Sequence, residues 1–173
     1  MNNVYLRNII RIILLVLFQV LVLKEIKFTS VGLNYMQILI YPLGLMLLPI
    51  SIPQFFLILI SFFTGLMVDQ FYLSPGVHAS ACLWMIMARP LVLKYMEPKS
   101  GYSIDQNLTG YTLGIFWFMR YAGIMLFVFV LSYFIFEIFT FVFFGEILLR
   151  TIFSFCLSYF LMFLIQILFN PKY

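Results

Sequence analysis

The sequence predicts an all-α membrane protein with six transmembrane helices in a single polytopic domain, residues 1–173. Two observations lead to this prediction. First, 65% of the residues are apolar and only 9% are charged, whereas a soluble domain carries about 25% charged residues. Second, the apolar residues form long continuous runs, which excludes a membrane β-barrel with its alternating pattern. Six spans use roughly 120 residues. This leaves no room for a soluble domain and excludes an ordinary soluble enzyme, a disordered chain and a disulfide scaffold.

The first span is predicted at residues 9–23. It follows Arg7 and Arg11 and ends before Lys24, and charged residues of this kind flank membrane spans. The arrangement is similar to a signal peptide, but no small-residue cleavage site follows it, so we interpret the run as an uncleaved span. Gln19 is a lone amide inside this span, and we expect it to make an interhelical hydrogen bond.

Spans two, three and four are predicted at residues 36–50, 53–72 and 78–93. Turns at residues 51–53 and 74–76 contain proline or glycine, so they connect these spans as two tight hairpins. Spans two and four are short for a full crossing. Lipid cannot satisfy exposed backbone polar groups, so each span has to be helical or buried within the protein.

Spans five and six are predicted at residues 117–141 and 146–169. They follow the longest polar connection, residues 94–114, which divides the chain into four plus two spans. The segment 127–144 is rich in Phe and has few small residues. We therefore expect the fifth span to face lipid or a partner rather than the centre of the protein.

The basic residues predict that both termini are cytoplasmic, because cytoplasmic segments carry an excess of Lys and Arg. With the N-terminus inside, seven of the ten basic residues lie on the cytoplasmic side and three on the outer side. The net charge of +4 does not indicate nucleic-acid binding, since the bases lie at the ends of apolar runs and do not cluster with exposed aromatic residues. The seven are Arg7, Arg11, Arg89, Lys94, Lys99, Arg120 and Lys172, and the three are Lys24, Lys27 and Arg150.

Asp69 is the main candidate for an interaction site, because an ionisable group in the hydrocarbon costs about 2.5–3.5 kcal/mol on insertion scales. It lies near the outer end of span three, and His78 opens span four across a short turn that contains Gly76. Two interpretations stay open: a hydrated helix end, or a pair with His78 that locks the hairpin or shapes an outer-leaflet pocket. Ser61 and Gly65 form a small-xxx-small pair that permits close helix approach.

Arg89 is the second costly residue, about 16 Å along span four from His78. Pro90 follows it, and a proline inside a helix frees the carbonyl four residues earlier, at Ile86. One interpretation is that the guanidinium donates to freed carbonyls or extends to the cytoplasmic headgroups. The other is a kinked helix that presents a cation to a partner.

A third interaction is predicted between Glu137 and Arg150, which flank the outer turn between spans five and six. Glu146 lies four residues before Arg150 and competes for it as an ordinary helical ion pair. Lys94 and Lys99, in the cytoplasmic connection, are candidates for a contact with lipid or a partner, since anionic lipid attracts basic residues near the surface.

We expect no catalytic residue, no cofactor and no metal. His78 and Cys82 are four residues apart on one helix face, but a structural zinc site needs four protein ligands, and the chain has a single His. A membrane protease would need a nucleophile beside a base, and Ser80 faces elsewhere on the helix.

Many of these residues belong to a pattern that resembles the rod shape-determining protein MreD family, and most closely its members from the Bacteroidota. Length, span count and the compact second turn agree over nearly the whole chain, although the part after Gly114 agrees only in hydrophobicity. The matching stretches are Gly65-Leu66-Met67-Val68-Asp69, Gly76-Val77-His78-Ala79, Arg89-Pro90, Glu97-Pro98-Lys99-Ser100-Gly101-Tyr102, Arg7-Asn8-Ile9-Ile10-Arg11 and Gln19-Val20-Leu21.

The resemblance implies a non-enzymatic scaffold of the bacterial cell-elongation complex in the cytoplasmic (inner) membrane, which supports peptidoglycan synthesis and cell-shape control. Members of the family associate with the periplasmic protein MreC and, more broadly, with RodA, a penicillin-binding transpeptidase and the actin-like MreB.

The family is also similar in architecture to the six-helix substrate-binding components of energy-coupling-factor vitamin transporters. A small-molecule-binding component of such a transporter is the alternative function. Those components dock through small residues on their first helix, and residues 11–23 contain no Ala or Gly, which favours the scaffold.

Overall fold

A computed structural model of the chain describes residues 2–26, 36–99, 101–102, 108–139 and 144–169. This part is built from α-helices and short connections, without a strand, which confirms the all-α prediction for the described residues. The helices are α1 Asn2–Leu21, α2 Pro42–Met46, α3 Gln54–Tyr72, α4 Val77–Tyr95, α5 Gly110–Leu113, α6 Ile115–Ile138 and α7 Phe144–Phe169.

Four helical stretches in the described residues are long and apolar enough to cross a membrane. They are Leu6–Glu25, Gln54–Tyr72, Ile115–Ile138 and Phe144–Leu168, and they overlap the predicted spans one, three, five and six. Helix α4 is 19 residues long, as α3 is, but it is not among the four. It carries the polar residues His78, Arg89 and Lys94. Residues 140–141 of the fifth predicted span lie outside the described residues, as do Lys27 and Lys172.

Helices α3 and α4 form an antiparallel hairpin, and α4 packs along both α3 and α6. Helix α7 runs antiparallel to α6, while α1 packs against α2 and α3. We call the end of the bundle at the α3–α4 turn the hairpin end, and the end where α4 stops and α6 begins the opposite end. The core is made mainly by side chains of α6, of residues 38–48 and of α4, including Cys82, Met85, Met125 and Phe129, which are fully buried. Helix α6 corresponds to the fifth predicted span, so the prediction that this span faces lipid or a partner rather than the centre is wrong.

The second predicted span, residues 36–50, is not a continuous helix. Residues 36–40 form no regular secondary structure, and only Pro42–Met46 is helical. Proline is tolerated at the first position of a helix but cannot continue one, so Pro42 starts a short helix instead of extending a longer one. Pro49 follows soon after its end, a common position for proline beyond a helix terminus. We call residues 36–50 the interior segment.

The interior segment passes through the bundle from one end to the other. The Gln37 side chain lies 3.5 Å from the Glu137 carboxylate on α6, and the Met46 carbonyl accepts a hydrogen bond from the Tyr121 hydroxyl at 3.2 Å. Glu137 lies sixteen residues after Tyr121, which is about 24 Å along α6. Leu39, Tyr41 and other side chains between these ends are completely buried, so protein rather than lipid surrounds this non-helical backbone.

Candidate functional site

Asp69 caps the first turn of α4 from the neighbouring helix. Its Oδ1 accepts hydrogen bonds from the backbone N–H of His78 at 2.9 Å and from the Ser74 hydroxyl at 2.8 Å. Its Oδ2 accepts from the backbone N–H of Ala79 at 3.0 Å. These N–H groups have no partner within their own helix, and they carry the positive end of its dipole. Because the N-cap residue of α4 is Gly76, which has no side chain, the buried Asp69 supplies the missing cap.

Gly65 brings the two helices of this hairpin close enough for that cap to form. A Cβ on Gly65 would lie 2.4 Å from the Cα of Ala79 and 2.7 Å from its nitrogen, distances that only a glycine permits. The turn itself uses left-handed backbone at Leu73, with φ 54°, and at Gly76, with φ 83°. The sequence prediction of a close approach at Gly65 is confirmed.

The His78 imidazole does not bind Asp69, in contrast to the pair considered from the sequence. The carboxylate takes the backbone N–H of His78, while the ring Nδ1 lies 3.1 Å from the Tyr41 hydroxyl. The rings of Tyr72 and Tyr133 pack against it with centroids 4.8 Å away. Asp69 is 4% exposed and His78 is fully buried, so neither residue is a hydrated helix end. Through Tyr41, His78 fastens α4 to the interior segment.

Two serines of α7 bind the first part of the interior segment. The Ser154 hydroxyl accepts a hydrogen bond from the backbone N–H of Gln37 at 3.0 Å, and the Ser158 hydroxyl accepts one from Leu39 at 2.9 Å. Four residues of helix rise about 6 Å, and two residues of extended chain rise about 6.6 Å. Serines four apart therefore match alternate N–H groups of the segment.

Gln19 binds the same segment from α1. Its amide nitrogen donates to the Ile38 carbonyl at 2.7 Å, and its oxygen accepts from the Ile40 N–H at 2.9 Å. The nitrogen also donates to the Tyr72 hydroxyl on α3 at 2.8 Å, which confirms the predicted interhelical hydrogen bond. The Gln19 amide thus donates one hydrogen bond to the segment's backbone and accepts another from it, as a peptide group of an adjacent strand does in a β-sheet. It satisfies backbone groups that would be costly to bury unpaired.

Arg89 holds the opposite end of the interior segment. The guanidinium is 2% exposed and donates to the carbonyls of Leu48 and Pro49 and to the Tyr121 hydroxyl at 3.3 Å. The prediction that it extends to headgroups is therefore wrong, and the cation is not presented to the surface. The reason is that Leu48 and Pro49 lie just beyond the end of α2 in a buried place, where their carbonyls need donors.

Pro90 has the consequence that the sequence predicts. The Ile86 carbonyl has lost its helical partner, and the Gln54 side chain at the start of α3 donates to it at 2.9 Å. Helix α4 continues past the exposed Pro90 to Tyr95. The hydrogen bond that Pro90 removes from α4 is thus replaced by one from the neighbouring helix α3.

Glu137, Glu146 and Arg150 form a surface cluster at the hairpin end. Arg150 lies 2.7 Å from the Glu146 carboxylate and 3.8 Å from that of Glu137. Both predicted pairs are present, and the helical pair is the closer one. Tyr133 donates to Glu137 at 3.4 Å. The Arg150 and Glu137 side chains are 24% and 30% exposed, so solvent screening keeps these pairs weak.

Lys94 and Lys99 are exposed at the opposite end, where α4 stops. Its last carbonyls are capped by aromatic side chains: the Tyr102 hydroxyl donates to Leu93 at 2.9 Å, and the Trp117 indole donates to Met96 at 2.8 Å. Burial and the neighbouring Glu97 raise the pKa of Tyr102 to about 12, so its hydroxyl stays protonated and remains a donor.

The polar side chains of the bundle interior mostly bind backbone groups of this same chain. Among the described residues, no group of three or more His, Cys, Asp or Glu side chains could hold a metal ion. No protein-family model, curated protein or solved structure matches the chain. Sequence reasoning missed Ser154 and Ser158, whose i, i+4 spacing on a Phe-rich helix was the available signal.

Proposed function

We propose that the chain is a non-enzymatic membrane scaffold of the bacterial cell-elongation complex, where it binds the membrane helix of MreC and supports peptidoglycan synthesis. The observation that carries the proposal is the use of Asp69, His78 and Arg89 inside the protein. All three are buried and bind the chain's own backbone or tyrosines. What the bundle offers to its neighbours is therefore an apolar helical surface.

Six membrane crossings fit this proposal: α1, the interior segment, α3, α4, α6 and α7. Helix α4 lies between α3 and α6, so protein shields His78 and Arg89 from lipid and lowers the cost of placing them at membrane depth. Non-helical backbone is tolerated there when it is buried in protein, as the interior segment is. The same path of six crossings is what the similarity to energy-coupling-factor components would require.

The charge distribution supports cytoplasmic termini in the bacterial inner membrane. Arg7, Lys94 and Lys99 lie at the opposite end, while Lys24 and Arg150 lie at the hairpin end. Cytoplasmic flanks carry the excess of basic residues, so the opposite end would face the cytoplasm. MreC would then approach from within the membrane and from the periplasm, and RodA, a penicillin-binding transpeptidase and MreB would belong to the wider complex.

The α3–α4 surface is a suitable place for a partner helix. Large apolar side chains stand outward there, among them Phe55, Phe56, Phe62, Phe63, Phe71, Trp84, Met87 and Leu91. Lipid tails are as apolar as these side chains, so a partner helix would gain from close packing rather than from hydrophobicity. The close contact at Gly65 and the hydrogen bonds of Asp69 hold the two helices of this surface together.

The transporter alternative would need polar side chains that converge on a solvent-reachable cavity. Asp69 and His78, which could shape an outer-leaflet pocket, are the candidates for such a lining, and both oxygens of Asp69 are occupied by donors of the protein. Glu137 lies instead at the surface beside Arg150. These positions favour the scaffold.

Copurification in mild detergent tests the proposal. The tagged chain should retain a single-span protein with a large periplasmic domain, identified by mass spectrometry. Photo-crosslinkers at Phe63 and Met87, which are 60% and 58% exposed, should join that protein, while one at Ile152 on α7 serves as the matched control. A stoichiometric vitamin-like ligand together with an ATPase module would overturn the scaffold in favour of the transporter component.

A further inference from the structure

A groove of about 720 Å³ runs along α1, beside α2 and the last turns of α7. Its walls are mainly apolar and include Leu14, Phe18 and Ile165. The lining residues of α1 extend from Arg7 to Val22, about 22 Å of helix. The hydrocarbon core of a bilayer is about 30 Å thick, so the groove is longer than one leaflet.

The end of the groove at the opposite end of the bundle is positive and rich in hydrogen-bond donors. Arg7 and Arg11 line it one helical turn apart, and like charges at this spacing repel each other. Arg11 donates to the Asn8 side chain at 3.3 Å, a neutral partner that does not offset its charge.

Buried amide nitrogens stand at the same end. Gln166 lines the groove from α7, is 1% exposed, and its Nε2 has no hydrogen-bond partner among the described residues. The Asn8 Nδ2 is also buried and unpartnered within the described part of the chain. A buried donor without a partner is costly, so an acceptor that reaches Gln166, which lines the groove, is favoured.

We propose that one anionic phospholipid occupies this groove as a specific site. Its phosphate is held by Arg7, Arg11 and Gln166, and an acyl chain lies along Leu14 and Phe18. The phosphate offsets the repulsion between the arginines and supplies the acceptor that the Gln166 Nε2 lacks. The proposal adds a ligand that the scaffold function does not require.

The charge at this end of the groove favours an anionic lipid over an apolar partner helix. A helix about 10–12 Å in diameter would cover the apolar walls at Leu14 and Phe18, but its apolar side chains would bring no negative charge to Arg7 and Arg11. An acyl chain is thin enough to enter, and its headgroup places negative charge at the arginines.

Native mass spectrometry of the full-length protein, released from nanodiscs, tests the site. The nanodiscs contain equal amounts of palmitoyl-oleoyl phosphatidylglycerol and phosphatidylcholine, which share their acyl chains. We expect one phosphatidylglycerol to be retained in preference to phosphatidylcholine. At about 1 kcal/mol per basic residue, the double variant Arg7→Gln with Arg11→Gln should lower that preference about 30-fold. The double variant Arg7→Lys with Arg11→Lys keeps both charges and should keep most of the preference.

Controls separate this site from general surface charge. Lys94→Gln with Lys99→Gln removes two exposed cations from the same end and should leave the preference unchanged. Gln166→Leu should reduce it, and Leu14→Trp, which fills the groove, should reduce retention of the lipid. Inorganic phosphate should not displace the lipid.

The proposal fails if the wild type retains both lipids equally, or if the Lys94 and Lys99 control loses as much as the arginine variant. It also fails if inorganic phosphate displaces the lipid, or if a crosslinker at Leu14 captures a protein segment and no lipid. Thermal melts monitored by circular dichroism identify any variant that does not fold, and the arginine-to-lysine pair then carries the charge comparison.

Discussion

The two long antiparallel helix pairs, α3–α4 and α6–α7, both carry carboxylates at the hairpin end but use them differently. In α3–α4, Asp69 is buried and accepts three hydrogen bonds, two of them from backbone N–H groups. In α6–α7, Glu137 is partly exposed and pairs with Arg150 at 3.8 Å. A carboxylate hidden from solvent has to be fully bonded to be tolerated, so the first is structural, whereas the second is held loosely.

Removing the Asp69 carboxylate should produce the largest effect. Asp69→Ala leaves two N–H groups of α4 without a partner in a buried place, and each unsatisfied donor costs about 1–3 kcal/mol. We expect the free energy of unfolding to fall by about 3–5 kcal/mol, measured by titration with SDS in mixed micelles. Asp69→Asn keeps one acceptor oxygen and should lose less, and equal losses for both would contradict the cap.

A methyl group at the close contact between α3 and α4 should have the next largest effect. Gly65→Ala places a Cβ 2.4 Å from the Ala79 backbone, which forces α3 and α4 apart, and overpacking of this kind costs about 1–3 kcal/mol. The matched control is Gly123→Ala on α6, whose Cβ would meet the Tyr159 ring at 3.3 Å.

The Tyr159 ring would have to move by only a few tenths of an ångström, so Gly123→Ala should cost less than about 1 kcal/mol. Both variants are compared in the same SDS titration. If Gly123→Ala proved as costly as Gly65→Ala, the close approach would not distinguish the two helix pairs.

Helix α7 should contribute to stability through Ser154 and Ser158, which bind the interior segment, more than through the ion pairs at its first turn. Ser158→Ala removes the acceptor of the buried Leu39 N–H, which costs about 1–3 kcal/mol, and Ser154→Ala removes that of the partly buried Gln37 N–H, which should cost less. Ser61→Ala is the control, because its hydroxyl donates to a carbonyl of its own helix at 2.7 Å. Hydrogen exchange should speed up at Gln37 and Leu39 in the two α7 variants, and unchanged exchange there would disprove the role of the serines.

The smallest effect is expected at the surface cluster. Glu137→Gln removes an ion pair that solvent already screens, so stability should change by less than about 1 kcal/mol. The same SDS titration, repeated at low and high salt, checks this value. A loss close to that of Asp69→Asn would show that the two carboxylates are equivalent, against the comparison above.

The hairpin illustrates how far sequence reasoning reached. The cost of burying Asp69, the close approach at Gly65 and the carbonyl freed by Pro90 all follow from local rules, and the structure contains each consequence. The partner of Asp69 was missed because its donors are backbone N–H groups of the first turn of α4. Every residue type except proline has such a group, so the sequence does not reveal which ones act as donors. Arg89 was misplaced because its acceptors lie about forty residues away in the chain.

The sequence by itself determined that the chain is helical and apolar enough for membrane spans. It also determined that the few ionisable residues lie at the ends of the apolar runs or need partners inside the protein. Only the tertiary structure decided that residues 36–50 pass through the bundle without forming a long helix. The physical reason is that lipid and protein interior are equally apolar, so hydrophobicity does not distinguish a lipid-facing helix from a buried non-helical segment. What permits the segment is a set of hydrogen bonds that its backbone N–H groups donate to Gln19, Ser154 and Ser158, and those form only when α1 and α7 both pack against the segment.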